Sequence, residues 1–458
     1  MITIDDRLQP ADLLPALQRM WELSAAKLNS LEQTWQPTQG TPVFTVAGRY
    51  TSQGWTEWTQ GFQFGSAILQ FDATGDERFL ELGRSNTIAR MASHVTHVGV
   101  HDHGFNNVST YGNLRRLMLE GRIPYDARER DFYELALKAS GAVQAARWST
   151  TRDGDGYIYS FNGPHSLFSD TIRSLRALAL AHQLGHALMG ENDAAVSLLD
   201  RLVQHARTTA KYNVYYGAGR DAYDVRGRVV HESIFNTNDG RYRCPSTQQG
   251  YSPFSTWTRG LAWIMCGYAE QLEYLAVLGD AALAAMGGRQ TVEPLLREAA
   301  AATCDFYLES TPTDGVPYWD TGAPGLIHLG DYQNRPAEPF NDFEPVDSSA
   351  AAIAAQGLLR FGQYLQQSGD AAGRRYWQAG LTVLKTLLAE PYLSVQAEHQ
   401  GLLLHTIYHR PRGWDHIPAG RKIPCGEACL WGDYHLREAG LYVQRIAQGA
   451  PYYTFFAP

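Results

Sequence analysis

Few of the residues able to carry covalent or metal chemistry in this chain come in the pattern that chemistry needs. There is no G-x-x-x-x-G-K-S/T phosphate loop, no G-x-S-x-G nucleophile turn and no H-E-x-x-H zinc helix. Cys244, Cys266, Cys304, Cys425 and Cys429 are odd in number and scattered, which predicts free thiols in a reducing compartment rather than a disulfide framework. Cys425 and Cys429 are half a metal site without a second pair. Carboxylates in loops remain. Asp102 lies in His101-Asp102-His103-Gly104-Phe105 and Asp170 in Phe168-Ser169-Asp170-Thr171-Ile172, each between long helical stretches. Two carboxylates brought to one cavity are the usual equipment for acid/base work on sugars. Each has a plainer reading: Asp170 stands where a helix begins and suits a cap, and His101 with His103, alternating on an extended segment, suits either a metal lacking its third ligand or a loop anchor.

A further cluster heads a helix. After Gln249-Gly250-Tyr251 comes Ser255-Thr256-Trp257-Thr258-Arg259-Gly260-Leu261-Ala262-Trp263, in which Arg259 and Trp263, four apart, share a helical face. A cation beside a ring fits a carboxylated sugar, and it equally fits a surface Arg packed on a core Trp. His231, in a long polar loop, is either a ligand contact or a satisfied structural histidine.

The elements that must position these residues follow from periodicity. Helix, Gly, acidic residue, helix recurs at Gly75-Asp76, at Gly190 before Asn192-Asp193, at Gly279-Asp280 and at Gly369-Asp370. Glycine suits the left-handed position after a helix and Asp or Asn caps the next, so each reads as a helical hairpin. Apolar residues at a 3.6 period predict about twelve helices, near 11–30, 58–74, 77–96, 108–121, 129–150, 170–188, 192–214, 255–278, 287–308, 347–368, 370–390 and 426–448. Twelve helices make six hairpins, and six hairpins closed into a ring gather the long loops 97–107, 150–169, 215–254, 311–346 and 391–425 over one cavity. The expected fold is therefore all-α, an (α/α)6 barrel. No strict repeat supports an open solenoid, and no Pro- or Ser-rich linker divides the chain, so residues 1–458 are expected to form one domain.

Composition narrows the function. Of 458 residues 44% are hydrophobic and 19% charged, the profile of a chain that buries a core. A formal charge of −8 without Lys/Arg blocks argues against nucleic acid. No apolar window is long enough for a membrane span, and the first residues, with Asp5, Asp6 and Arg7, do not look like a signal peptide, so a cytoplasmic location is expected. The 11 Trp and 25 Tyr suit stacking on sugar faces as well as core packing.

Together these segments resemble the unsaturated glucuronyl hydrolases of glycoside hydrolase family 88. The matching pieces run in family order: Trp58-Thr59-Gln60-Gly61-Phe62, His101-Asp102-x-Gly104-Phe105, Asp170-Thr171, Lys211-Tyr212, His231 and Gln249-Gly250-Tyr251. Then follow Trp257-x-Arg259-Gly260-x-Ala262-Trp263, the stretch from Asp314 to Asp320, Asp347-Ser348-Ser349-Ala350-Ala351 and Leu430-Trp431-Gly432-Asp433-Tyr434. The resemblance implies an (α/α)6 barrel without cofactor or metal, catalytic Asp102 and Asp170, and sugar contacts from Trp58, Phe62, His101, His231, Gln249, Arg259 and Trp263. The substrate it implies is a short oligosaccharide ending in a 4,5-unsaturated uronate, handled by a monomer or homodimer. The chain departs from the family at Ser160-Phe161-Asn162, where Ser-Trp-Asp is common, at Ile172-Arg173-Ser174-Leu175 after the second aspartate, and at His103, where an apolar residue is usual.

The chemistry implied is hydration of a vinyl ether: Asp170 protonates C4, then takes a proton from water attacking C5. Asp170 must then hold a proton near neutral pH, well above the ordinary Asp value of about 3.9, and an ionised Asp102 nearby is expected to push it there. Rival readings are a family 105 type unsaturated rhamnogalacturonyl or ulvan hydrolase, a sugar epimerase on a similar ring using paired histidines, and a glycan-binding ring without turnover.

Overall fold

The structure, a computed structural model, describes residues 1–456. Among them fifteen α-helical segments, three of which continue a neighbour across a short break, make twelve helices. In chain order these are α1 (Leu14–Thr34), α2 (Gln60–Thr74), α3 (Glu77–Arg90, with a further turn Ala92–Val95) and α4 (His103–Asn107, continued through a π turn Val108–Gly112 into Asn113–Leu119). Next come α5 (Ala127–Ala146), α6 (Thr171–Ser174 and Arg176–Gln183), α7 (Leu198–Tyr212) and α8 (Thr258–Val277). The last four are α9 (Arg289–Ser310), α10 (Ser348–Gln367), α11 (Gly373–Leu387) and α12 (Leu430–Ala447).

The even-numbered helices are buried nearly all round, and the odd-numbered ones bury one face only. A helix apolar on every side must be enclosed, and one with a single stripe must lie outside it. The contacts agree. Each even helix packs on the next, α2 on α4, α4 on α6, α6 on α8, α8 on α10, α10 on α12, and α12 returns to α2, so the inner ring closes. The odd helices lie around it, α3 on α2, α9 on α8, α11 on α10 and α1 against α2 and α12. This is the (α/α)6 ring that the periodicity predicts.

Two hairpin joints follow the expected chemistry. Gly75 takes a φ of 74° after α2, and the Asp76 carboxylate accepts the Arg78 N–H at the start of α3; Gly369, with φ 78°, precedes Asp370 and α11. The joint at Gly190 differs. There α6 stops at Gln183, a two-residue strand pair (Leu188–Met189 with Ala195–Val196) intervenes, and Ser197 rather than Asn192 or Asp193 caps α7 by accepting from Asp200. Four small antiparallel sheets among the described residues, unmarked by the helical period, stiffen the loops; the one with three strands joins Ser166–Phe168, Glu232–Phe235 and Tyr242–Ser246.

Inner and outer helices alternate in direction; the longest loops lead into the inner helices α2, α6, α8, α10 and α12, and α4 is entered by the shorter segment 96–102. All six inner N-termini therefore open toward the same loops. Glycines let the inner helices approach: a Cβ on Gly61 would lie 2.4 Å from Asn106 Cα and one on Gly104 2.5 Å from Ser174 Cα. Deeper along these helices the ring centre is polar. Arg173 pairs with Glu270 (2.9 Å) and Glu438 (3.0 Å), and Arg360 with Glu273 (2.7 Å), all fully buried. Burial pushes Glu273 up to about 7, whereas the guanidinium groups of Arg173 and Arg176 overcome burial and hold Glu438 far below its ordinary range.

Candidate active site

The loops enclose a cavity of about 350 Å³ at the N-terminal mouth of the inner ring. Asp102, the residue before α4, and Asp170, the residue before α6, both line it. The tertiary fold thus brings together two carboxylates 68 positions apart in the chain. The three-stranded sheet assists: Ser166–Phe168 runs directly into Asp170, and Phe168 pairs in register with Glu232, so His231 lies alongside. Asp170 is not a helix cap, since its side chain bonds to no helix N–H; its Oδ2 lies 3.1 Å from His101 Nε2.

His101 is the hinge of this arrangement. Its Nε2 faces Asp170 Oδ2 at 3.1 Å and Asp102 Oδ1 at 3.7 Å, so that nitrogen carries a proton. The ring stacks beneath Phe161 (centroids 6.1 Å apart, 18° between planes) and meets Phe168 edge-on. Burial depresses the imidazole, but the two carboxylates outweigh it and hold His101 above its ordinary value. For Asp170 burial acts upward and is overcome by the hydrogen bond and charge of His101, so it sits below the usual carboxylate range. Asp102 is pushed up by burial, against the pull of His101 and with reinforcement from Asp170. In the free protein Asp102 is therefore the more easily protonated of the pair, the reverse of the order expected from sequence. The reason is positional: His101 stands closer to Asp170 than to its own neighbour.

His103 turns away from the cavity. Its Nε2 donates to His97 O at 3.0 Å, its Nδ1 lies 2.9 Å from Ser140 Oγ, and burial depresses it to about 4. The paired-histidine metal reading therefore fails and the loop-anchor reading holds for His103. A different trio, His101 with Asp102 and Asp170, offers ligand atoms within 4.8 Å of one another and is, among the described residues, the set that could hold a divalent ion.

Of the remaining residues singled out from the sequence, Trp58, Gln249, Arg259 and Trp263 line the cavity, and Phe62 and His231 stand behind it. Trp58 lines the cavity, partly exposed, and stacks on Trp431 at 4.9 Å; Phe62, fully buried, supports Trp58 and Phe105 from beneath. His231 Nδ1 accepts the N–H groups of Gln248 (3.0 Å) and Gln249 (3.3 Å), which places its proton on Nε2. Burial depresses it to about 4, so it stays neutral.

Arg259 differs most from expectation. Only 1% exposed, its Nη1 donates to Asp347 Oδ2 (3.3 Å) and Ile407 O, and its Nη2 donates to Gln249 Oε1 (2.7 Å) and Tyr408 O (2.8 Å). All four Nη hydrogens are engaged and Trp257 and Trp431 flank the group. A guanidinium so occupied is not a free carboxylate fork. Its effect is to orient Gln249: with Oε1 held by Arg259, the Gln249 amide N–H₂ is left for the cavity.

The other aspartates of the recurring segments hold backbone. Asp320 accepts from Tyr251 N (2.8 Å) and Gly322 N (2.8 Å), Asp347 caps α10, and Asp433 accepts from Leu402 and Leu403 N. Sequence reasoning missed Glu57, Tyr408, His409, Arg412 and Trp414, which also line the cavity. The last four sit in a loop whose His and aromatic content was visible, but without periodicity nothing indicated which of them faces inward.

No family model matches the chain. In sequence it is 27% identical over 386 residues to an unsaturated glucuronyl hydrolase of Formosa agariphila, covering 84% of this chain and 79% of that one. It is 27% identical over 411 residues to an unsaturated glucuronyl hydrolase of Bacillus sp. strain GL1, covering 88% and 90%. In structure it superposes on an unsaturated glucuronyl hydrolase specific for heparin with a TM-score of 0.71 at 20% identity, covering 95% of this chain and 98% of that one. The chain is thus similar to unsaturated glucuronyl hydrolases in sequence over most of its length, and it shares their helical toroid.

Proposed function

We propose that the protein removes a terminal 4,5-unsaturated uronate from short, lyase-generated oligosaccharides by hydrating its vinyl ether, with Asp102 and Asp170 as the catalytic pair. The observation that carries the reading is the trio of Asp170, His101 and Asp102 in a cavity walled by aromatic rings. Among the described residues no helix is long and apolar enough to cross a membrane; residues 1–458 acting as one cytoplasmic domain fits a substrate small enough to be taken up. An epimerase working through paired histidines is disfavoured, because His103 has both nitrogens engaged away from the cavity.

The chemistry needs a proton at C4 and a water at C5. In the free protein that proton rests on His101, and Asp170 is its ionised partner. The substrate carries its own carboxylate into the cavity, and a further negative charge in a water-poor site raises every acid near it. The proton on His101 Nε2 then passes the 3.1 Å to Asp170 Oδ2. Asp170 gives it to C4, the C5 cation forms, water adds there, and Asp170 takes the proton that water releases. The hemiketal opens and the aglycone leaves. Asp102 steadies the ring hydroxyls and offsets the positive charge, and the Gln249 amide donates to the substrate. Acid/base help of this order is worth roughly 10²–10⁴ in rate.

The test is isotopic. In heavy-oxygen water with deuterium, turnover should place deuterium at C4 and the new oxygen at C5 of the released keto acid, and a saturated glucuronide should stay uncut. Label confined to C1, or ready cleavage of the saturated sugar, overturns the hydration reading, because it marks glycosidase chemistry at the anomeric carbon.

A further inference from the structure

A third carboxylate lines the cavity. Glu57 precedes Trp58 in the turn that enters α2, and the turn is fixed: Glu57 N donates to Gly54 O (3.1 Å) and Gln60 N to Glu57 O (3.3 Å). The side chain is fixed as well, with Oε1 accepting Trp58 N at 3.1 Å. Among the described residues its other oxygen has no hydrogen-bond partner and no cation pairs with it; burial, with the charge of Asp102 adding to it, pushes Glu57 above its ordinary value. An uncompensated carboxylate set beside a partly exposed Trp ring is an arrangement that suits a sugar, whose C–H face lies on the ring while a hydroxyl at its rim donates to the oxygen.

We infer that Glu57 is a specificity-determining residue, accepting a free hydroxyl of the terminal uronate over Trp58 and rejecting a sulfate ester at that position. The inference rests on the functional reading above. Lyase elimination consumes O4 of that ring, and O1 carries the aglycone, so hydroxyls remain only at C2 and C3. Asp102 and Glu57 line the same cavity and the charge of Asp102 reaches Glu57, which sets two acceptors to meet two adjacent hydroxyls. A sulfate on the hydroxyl that Glu57 accepts would bring a full negative charge against a carboxylate without a counter-ion, and like charges set together are how a site excludes a near-identical ligand.

The experiment compares wild type with Glu57→Gln and Glu57→Asp on two unsaturated disaccharides that differ only in a sulfate on the uronate ring, read by loss of the ultraviolet absorbance of the conjugated double bond. Wild type should favour the unsulfated substrate. Glu57→Gln, which can still accept from Trp58 N, should reduce that preference in kcat/KM by about tenfold or more, chiefly through a lower KM for the sulfated one. Glu57→Asp, which keeps the charge, should keep the preference even if turnover falls. A preference unchanged within about twofold in Glu57→Gln, its loss in Glu57→Asp, or a wild type that favours the sulfated sugar would each overturn the inference. A wild type that turns over neither substrate removes the hydrolase reading itself, and this inference with it, a result distinct from an unchanged ratio.

Discussion

Replacing Asp170 by Asn separates catalysis from structure at this position. The side chain caps no helix, and the amide oxygen can still accept from His101 where Oδ2 now does at 3.1 Å. What is lost is the charge-assisted share of one hydrogen bond, about 1 kcal/mol, which for a chain of this size moves the melting temperature by no more than about 2 °C. The catalytic loss is far larger. An amide cannot carry the proton to C4 or receive the one from water, so kcat should fall by about 10²–10⁴, equivalent to about 2.7–5.5 kcal/mol. The pH dependence of stability sharpens the test. The depressed pKa of Asp170 contributes stability that is present above the unfolded value of about 3.9 and is lost as pH falls through the folded value; the raised pKa of His101 contributes stability that is present below about 6.5 and is lost as pH rises through its folded value. The stability difference between wild type and Asp170→Asn should therefore be greatest between about pH 4 and 6.5 and shrink on both sides. Absorbance decay on an unsaturated disaccharide, with melts across that pH range, measures both. Turnover within about tenfold of wild type would remove Asp170 from the chemistry, and a melting temperature lowered by more than about 8 °C would make it a structural support.

Arg259→Ala should cost about 3–5 kcal/mol of stability, because it strands buried Asp347 and frees the Ile407 and Tyr408 carbonyls; a variant that melts like wild type yet loses affinity for a carboxylated sugar alone would restore Arg259 as a carboxylate clamp. Gly104→Ala should lose about 1–3 kcal/mol and activity together, since its Cβ would lie 2.3 Å from Ser174 O and part α4 from α6, the helices that set Asp102 against Asp170. An unchanged melting temperature would show that this contact is not tight.

Much of the ring was legible in the chain because its causes are local. A 3.6 period, a glycine able to take positive φ at 75 and 369 and a carboxylate at 76 are each set within a few residues, and they hold wherever the segment lies. The all-round apolar character of α8 and α10 against the one-sided stripe of α7 separates inner from outer helices by the same logic. The candidate chemistry was legible only as residue types in loops. Local pattern failed at Gly190, where a strand pair that forms only between the folded ends of α6 and α7 displaced the expected cap.

What the tertiary structure alone decided is the pairing of groups far apart in the chain. Nothing local tells Asp170 from a cap: its carboxylate turns from the helix because His101, 69 residues earlier, is there to meet it. That approach also reverses the expected order of the two aspartates, since a pKa follows the nearest charge in a site with little water. His103 and Arg259 were ambiguous for the same reason. Whether a side chain is free for a ligand depends on how many of its hydrogen-bonding atoms the protein has already used, and for Arg259 those partners come from residues 249, 347, 407 and 408. Sequence determines which segments become helices and which residue types stand at their ends; only the closing of the ring determines which of those groups face one another across the cavity, because electrostatic and hydrogen-bond energies depend on distance in space and not along the chain.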